Sequence, residues 1–238
     1  MRHFRTTVFS TAILAGFILP YLATSSPTAG SGVSFDAALT QLKQGNGRFV
    51  QGKSKRPHQD RKRLAETAKG QAPFAVILTC SDSRVAPEIL FDQGIGDLFV
   101  VRVAGNVANV SEIGTVDYGT EHLGAKLLVV MGHTNCGAVK AVAEGADVNQ
   151  NIQDLVEPIG PAVERASSKN NGQSGSAVVP AAIRENVWVS IENLYKRSEN
   201  IRTLTLGGKL KTVGAVYDLA TGKVTWMGEH PDTKTWLH

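Results

Sequence analysis

Two short apolar runs constrain this chain more than any other feature. Phe74-Ala75-Val76-Ile77-Leu78-Thr79 and Lys126-Leu127-Leu128-Val129-Val130-Met131-Gly132 are rich in branched side chains and show no polar alternation. A strand with one wet face alternates. A run without alternation is buried on both faces, the condition of a strand inside a parallel sheet covered by helices. The first run ends at Cys80 and the second at His133. Ligand sites of open α/β sheets gather at the carboxyl ends of strands, so both residues stand where chemistry is expected.

The clusters that follow, Cys80-Ser81-Asp82-Ser83-Arg84 and His133-Thr134-Asn135-Cys136, contain both cysteines of the chain. Two thiolates and an imidazole supply three tetrahedral zinc ligands and leave one position open for chemistry. Cys136 falls in the first turn of a helix expected from about Gly137, whose N-terminal dipole favours a thiolate. Three other readings fit the same residues: buried cysteines with a satisfied core histidine, a Cys80–Cys136 disulfide, and a purely structural zinc site. A structural site is usually closed by a fourth Cys or His at tight spacing, and the chain has no further cysteine. A disulfide explains neither His133 nor the adjacent Asp82 and Arg84. Asp82 is placed to orient a nucleophile at the metal, with Arg84 holding it by a charge-assisted pair. As an ordinary surface pair the two would contribute at most about 1 kcal/mol.

The wider pattern predicts an α/β fold: a single domain with a central, mostly parallel β-sheet flanked by helices. An amphipathic helix starts near Ser34, a good N-cap, with Phe35, Leu39 and Leu42 on one face. A second helix is expected from Gln59 to Lys69. Strands at Phe74–Cys80, Leu98–Val103 and Leu127–His133 alternate with helices, one of them running from Ser111 toward Leu123. Asn149 to Ala166 reads as helix broken at Pro158, Lys169 to Ser176 as a polar loop, and Glu185 to Arg197 as helix. Lys211 to Met227 reads as a hairpin around Ala220-Thr221-Gly222.

At the amino terminus, Arg2 and Arg5 precede an uncharged, largely apolar stretch from Thr6 to Ala23, and small polar residues follow. That is the anatomy of a secretory signal over residues 1–25, with Ala23-Thr24-Ser25 as a small-x-small cleavage site. The chain is therefore expected to be exported, to a periplasm or outside the cell, as a domain of residues 26–238. An uncleaved membrane anchor is the alternative, because the apolar stretch approaches spanning length. Without Arg2 and Arg5 the 25 basic residues fall to 23 against 21 acidic ones, a net charge of about +2. That balance excludes a nucleic-acid partner. The basic stretch Lys53 to Arg63 lacks interleaved aromatics and reads as a solvated helix and its approach, with His58 on the surface rather than on a metal.

Cys80-Ser81-Asp82-Ser83-Arg84, Arg102-Val103-Ala104-Gly105-Asn106 and Gly132-His133-Thr134-Asn135-Cys136-Gly137 together resemble the β-class carbonic anhydrases, over about Phe35 to Met227. The likeness includes Leu42-x-x-Gly45-Asn46-x-Arg48-Phe49 and Tyr217-Asp218-Leu219-x-Thr221-Gly222. It implies zinc on Cys80, His133 and Cys136, and reversible hydration of carbon dioxide to bicarbonate and a proton by a zinc-bound hydroxide. It also implies an Asp82–Arg84 dyad that keeps the site open when paired. By the same resemblance Gln71 donates to the substrate oxygen, as in the permanently open subtype, and Phe99, Val107 and Tyr118 form an apolar substrate pocket. Val103-Ala104-Gly105 is inserted relative to the plant-type pattern, which bears on the register of Val107. The family is built on dimers, so a homodimer or tetramer is implied, with residues 35–50 as an N-terminal helical arm wrapping the partner. Two alternatives share the motifs: hydrolysis of carbonyl sulfide or carbon disulfide, and a non-enzymatic zinc- or bicarbonate-binding protein.

Overall fold

Strand β1 (Ala75–Thr79) is the pivot of a five-stranded sheet in the order β2-β1-β3-β4-β5. The other strands are β2 (Leu98–Arg102), β3 (Leu127–His133), β4 (Lys211–Tyr217) and β5 (Val224–Gly228). The first four run parallel, and only β5 pairs antiparallel, with β4. This is a computed structural model and it describes residues 30–237. The signal-segment reading of residues 1–25 lies outside them.

Both apolar runs lack alternation because both faces of the sheet are covered. Every residue of β1 and β3 is buried. Val76, Leu78, Leu128 and Val130 enter one hydrophobic cluster; Ala75, Ile77, Leu127, Val129 and Met131 enter the other. In chain order the helices are α1 (Phe35–Val50), α2 (Arg61–Thr67), α3 (Pro87–Leu90), α4 (Val110–Asp117), α5 (Gly137–Glu144), α6 (Gln150–Val156), α7 (Gly160–Lys169), α8 (Val179–Arg197) and α9 (Glu199–Leu206). Helices α4 to α9 supply the first cluster, through residues such as Val116, Val139, Ala166, Val187 and Ile201. Helices α1 and α3 cover the other face with Ala38, Leu42 and Leu90. At roughly 2 kcal/mol for each fully buried Leu, Ile or Val, these two layers dominate what holds the sheet. Among the described residues no helix is long and apolar enough to cross a membrane.

The expected elements are present, with four local differences. The helix from Ser111 ends as an α-helix at Asp117 and continues as one π-helical turn, Tyr118–His122. There Gly119 packs so closely on the sheet that a Cβ would meet Val76 and Phe99 at 2.7 and 2.8 Å. Helix α8 begins at Val179, six residues before the expected start, because Pro180 falls in its first turn, where a missing N–H costs nothing. Helices α3 and α9 were not anticipated. The four residues of α3 are too few to show a period, and α9 is parted from α8 by Ser198 alone, whose hydroxyl accepts from Ile201 N at 3.0 Å.

The basic stretch 53–63 is not merely solvated. It wraps two buried carboxylates. Asp92 accepts from Arg48 Nε at 2.6 Å and from the backbone N–H groups of Lys55 and Arg56 at 2.9 and 2.8 Å. Asp97 takes Arg63 Nη2 at 3.0 Å, Gly94 N at 2.8 Å and His58 Nδ1 at 2.7 Å. His58 is thus a half-exposed partner of Asp97, and its side chain serves structure.

Candidate metal centre

Parallel pairing sets Thr79 opposite Met131, so Cys80 and His133 leave neighbouring strands at the same end of the sheet. Strand β2 lies on one side of β1 and β3 on the other. The crevice at such a switch point is where open α/β sheets hold ligands. Past His133 the chain turns through Thr134 and Asn135, the latter in the left-handed region at φ 54°, which asparagine tolerates. Thr134 is pinned from β4: its N–H donates to Tyr217 O at 2.9 Å, and its hydroxyl accepts from Leu219 N at 3.0 Å. The turn delivers Cys136 to the N-cap of α5.

The two sulfurs and a ring nitrogen of His133 lie within 4.8 Å of one another, and all three residues are buried. Both cysteines are free thiols, so the disulfide alternative is not formed. His133 Nδ1 lies 2.9 Å from Thr134 O and must carry the proton there, since a carbonyl only accepts. That leaves Nε2 as the lone-pair atom, the orientation that outer partners of metal-bound histidines impose. Nε2 is buried and meets no hydrogen-bond partner of acceptable geometry.

The thiols are unequal. Cys80 falls to about 4, first because Cys136 donates to it, against burial that pushes it up, and with help from His133 and the N–H groups of Gly105 and Asp82. Those two N–H groups stand 3.3 and 3.4 Å from Cys80 Sγ. Cys136 is pushed up, chiefly as the donor to Cys80 and then by burial, although Ala138 and Val139 N–H face its sulfur. His133 is raised: burial opposes its charge, but the interaction with Cys80 outweighs it. The protein alone thus stabilises one thiolate and resists the second. A cation placed among the three would favour both thiolates and occupy the orphaned Nε2. The donor set fits a divalent metal that prefers sulfur and imidazole.

Asp82 faces this cluster, its Oδ2 3.9 Å from His133 Nε2. Arg84 holds it with Nε to Oδ1 at 2.9 Å, Nη2 to Oδ2 at 2.7 Å and the backbone N–H to Oδ1 at 3.0 Å. The Arg84 side chain, first of all, keeps the Asp82 carboxyl well below the usual carboxylate range. Arg102, quoted above only as part of a motif, has a definite task. Its Nε donates to Cys80 O at 3.2 Å and its Nη2 to Asp82 O at 2.7 Å, clamping the backbone that carries both groups. Arg102 ends β2 in register with Thr79, a pairing that the sequence alone does not show.

The other predicted site residues divide. Val107 is buried in the cluster that also contains Cys80 and Cys136. Phe99 pairs with Val76, about 10 Å down the strand from the Thr79 level. Tyr118 sits on Phe99 at 5.9 Å between ring centroids and stacks on His122 at 4.9 Å. Gln71 precedes β1 beside Arg63, Thr67 and Gly96. Within this chain Gln71, Phe99 and Tyr118 therefore stand toward the amino end of the sheet, away from the cysteines.

A parallel sheet carrying a buried Cys-His-Cys cluster with a carboxylate–guanidinium pair at its mouth defines a class of metal-dependent enzyme centre, and comparison with known proteins gives that class its family. The carbonic anhydrase family model matches residues 75–224. The chain is 39% identical over 191 residues to "Carbonic anhydrase 2" of Mycobacterium tuberculosis, covering 79% of this chain and 90% of that protein. It is 38% identical over 192 residues to a carbonic anhydrase of Mycolicibacterium smegmatis, covering 79% and 91%. The β-carbonic anhydrase CafA of Aspergillus fumigatus superposes with a TM-score of 0.67 at 25% identity, over 85% of this chain and 96% of that one. The chain belongs to the carbonic anhydrase family, in its β class.

Proposed function

We propose that Cys80, His133 and Cys136 hold a zinc ion, and that Asp82 with Arg84 keeps this site open for the reversible hydration of carbon dioxide. The observation that carries the reading is the Cys-His-Cys cluster, its donor atoms within 4.8 Å of one another, with a carboxylate beside it fully engaged by arginine. When bound, zinc supplies a Lewis acid that acidifies water toward neutral pH.

The chain's own residues do the rest. Asp82, held ionised, can only accept hydrogen bonds, so a water molecule at the cluster turns a proton toward it and its lone pair toward the substrate. Because Arg84 occupies both carboxylate oxygens, Asp82 is kept from swinging onto the metal. Two thiolate ligands reduce the effective charge on the metal, and the N–H groups on Cys80 Sγ partly offset that. Val107 offers an apolar wall suited to a small uncharged substrate.

Gln71, Phe99 and Tyr118 serve the site of a second copy. Their distance from the cysteines of their own protomer supports a homodimer or tetramer, as does the exposure of Ile89, Val110 and Tyr118. The region 35–50 is then the arm that reaches the partner. Residues 1–25 direct export to the periplasm or beyond and the enzyme is the 26–238 domain, a reading supported by the charge and apolar pattern of the first residues.

The test is carbon dioxide hydration by stopped flow on the purified protein, with zinc determined on the same sample, from about pH 6 to about pH 9. Chelator-sensitive turnover with one zinc per chain is the expected result. Stoichiometric zinc without hydration at any pH refutes the open-site reading, and retention of zinc by Cys80→Ser or His133→Ala refutes the ligand set.

A further inference from the structure

Helix α8 runs behind the metal centre and is apolar where it faces the core: Ile183, Val187, Ile191 and Leu194 all enter the main hydrophobic cluster. Two polar side chains interrupt that face. Asn186 and Ser190 are each only 1% exposed, and their spacing of four places them one turn apart on the same face. Asn186 Nδ2 donates to Gly105 O at 2.6 Å, and Ser190 Oγ donates to Asn106 O at 2.9 Å. Both acceptors belong to the turn Ala104–Asn106, more than eighty residues away in sequence.

Burying these groups is not free. Asn186 Oδ1 and Asn106 Nδ2 are buried without partners, so the amide of Asn186 satisfies the turn at the expense of its own second group. Leucine there would carry no orphan of its own but would leave the Gly105 carbonyl without its donor. What Asn186 secures is the conformation of Gly105, whose N–H and carbonyl belong to the two peptide units on either side of its Cα. Gly105 stands at φ 73°, and its N–H donates to Cys80 Sγ at 3.3 Å, while its carbonyl is the group that Asn186 holds.

From this geometry we infer that Asn186 is a positioning residue for the metal centre: by fixing Gly105 it sets a hydrogen bond on the Cys80 sulfur and so the electron density that this ligand gives the metal. The inference rests on Cys80 being a metal ligand, as proposed above. An N–H donor on a thiolate withdraws density from sulfur and leaves the metal the stronger Lewis acid. Helix α8 thereby acts on the site with no atom of its own in contact with the metal.

The test uses the full protein stripped with chelator and reloaded with cobalt(II) alone, then with zinc(II) alone. Asn186→Leu is the first variant: it removes the orphaned acceptor together with the donor and avoids the cavity that Asn186→Ala would leave. Thr212→Val, which deletes another buried hydroxyl without a partner, far from the cysteines in sequence and on β4, is the control. With the N–H on Cys80 loosened, the thiolate-to-cobalt charge-transfer band of Asn186→Leu moves to lower energy. Zinc affinity changes by about 10- to 100-fold, the range typical of outer partners of metal ligands. Thr212→Val keeps both at wild-type values. A wild-type band and affinity in Asn186→Leu overturn the inference, as does an equal shift in Thr212→Val. Absence of any thiolate-to-cobalt band in the wild-type protein would instead defeat the assignment of Cys80 as ligand.

Discussion

Gly105→Ala makes the strongest quantitative demand on this structure. The residue lies at φ 73°, ψ 16°, left-handed backbone that costs an alanine about 1–2 kcal/mol. The added Cβ would also lie 2.6 Å from Ile159 Cδ1 and 3.2 Å from Ala138 Cβ. Ile159 is fully buried, so it cannot simply swing away, and overpacking of this kind costs about 1–3 kcal/mol. Against these, alanine restricts the unfolded chain and returns about 0.4–1 kcal/mol. The net loss is roughly 2–4 kcal/mol, or about 5–15 °C in Tm for a domain of this size. Chemical denaturation of the chelated protein measures it without the mass action of bound metal. The two causes separate in a double-mutant cycle, because Ile159→Val deletes Cδ1 and little else. Alone, that change costs about 0.5–1.5 kcal/mol. In its presence Gly105→Ala should cost about 1–2 kcal/mol less than in the wild type. An identical cost in both backgrounds would show that the contact with Ile159 is not the source. A loss below about 0.5 kcal/mol in the wild type would refute the backbone argument as well.

Asp82→Asn should keep full zinc and lose about 10²-fold in kcat, checked by stopped flow with metal content on the same sample; wild-type turnover would remove Asp82 from the mechanism. Asp92→Asn should lose about 2–4 kcal/mol at neutral pH, since it turns an acceptor of one guanidinium and two backbone N–H groups into a partial donor. Burial alone would raise Asp92, but those donors outweigh it and hold its pKa down. A depressed carboxylate stabilises above its unfolded value, near 3.9, and that stability is lost as pH falls through the folded value. The gap between wild type and Asp92→Asn should therefore stay constant from about pH 8 to about pH 5 and close only in stronger acid, as urea titrations would show. Zinc-free protein under mild oxidant should lose both free thiols, since the sulfurs lie within 4.8 Å, whereas the zinc-loaded protein keeps both in a thiol count.

Much of the site could be read from the chain because its parts are local. Each half of the Cys-His-Cys cluster is a contiguous run at the end of a strand, and an apolar run without alternation already implies the covered parallel strand beneath it. Asp82 and Arg84 are two residues apart, and their pairing needs only the turn after Cys80. Long-range partners leave no such trace. Asn186 sits in an ordinary helical pattern, and its bond to Gly105 spans 81 positions. Arg102 could equally have been a solvated strand end. The basic stretch 53–63 looked solvated because the carboxylates it wraps, Asp92 and Asp97, lie more than thirty residues further on. Helix α8 was read from Glu185 and starts six residues earlier, at Val179, with Pro180 in its first turn.

The pairing of β1 with β3 gives the metal centre a further property, as a gauge of strand register. Cys80 is carried by one strand, His133 and Cys136 by the end of the other, and no local segment contains the set. Sliding β1 by one residue against β3 would move Cys80 about 3.3 Å and turn its side chain to the opposite face. Both strands are buried on both faces along their apolar stretches, so burial alone discriminates weakly between neighbouring alignments. Coordination does discriminate, because three donors must converge on one point. An ion bound as proposed would therefore report that these two strands have met in a single alignment, and would withhold its binding energy from every other.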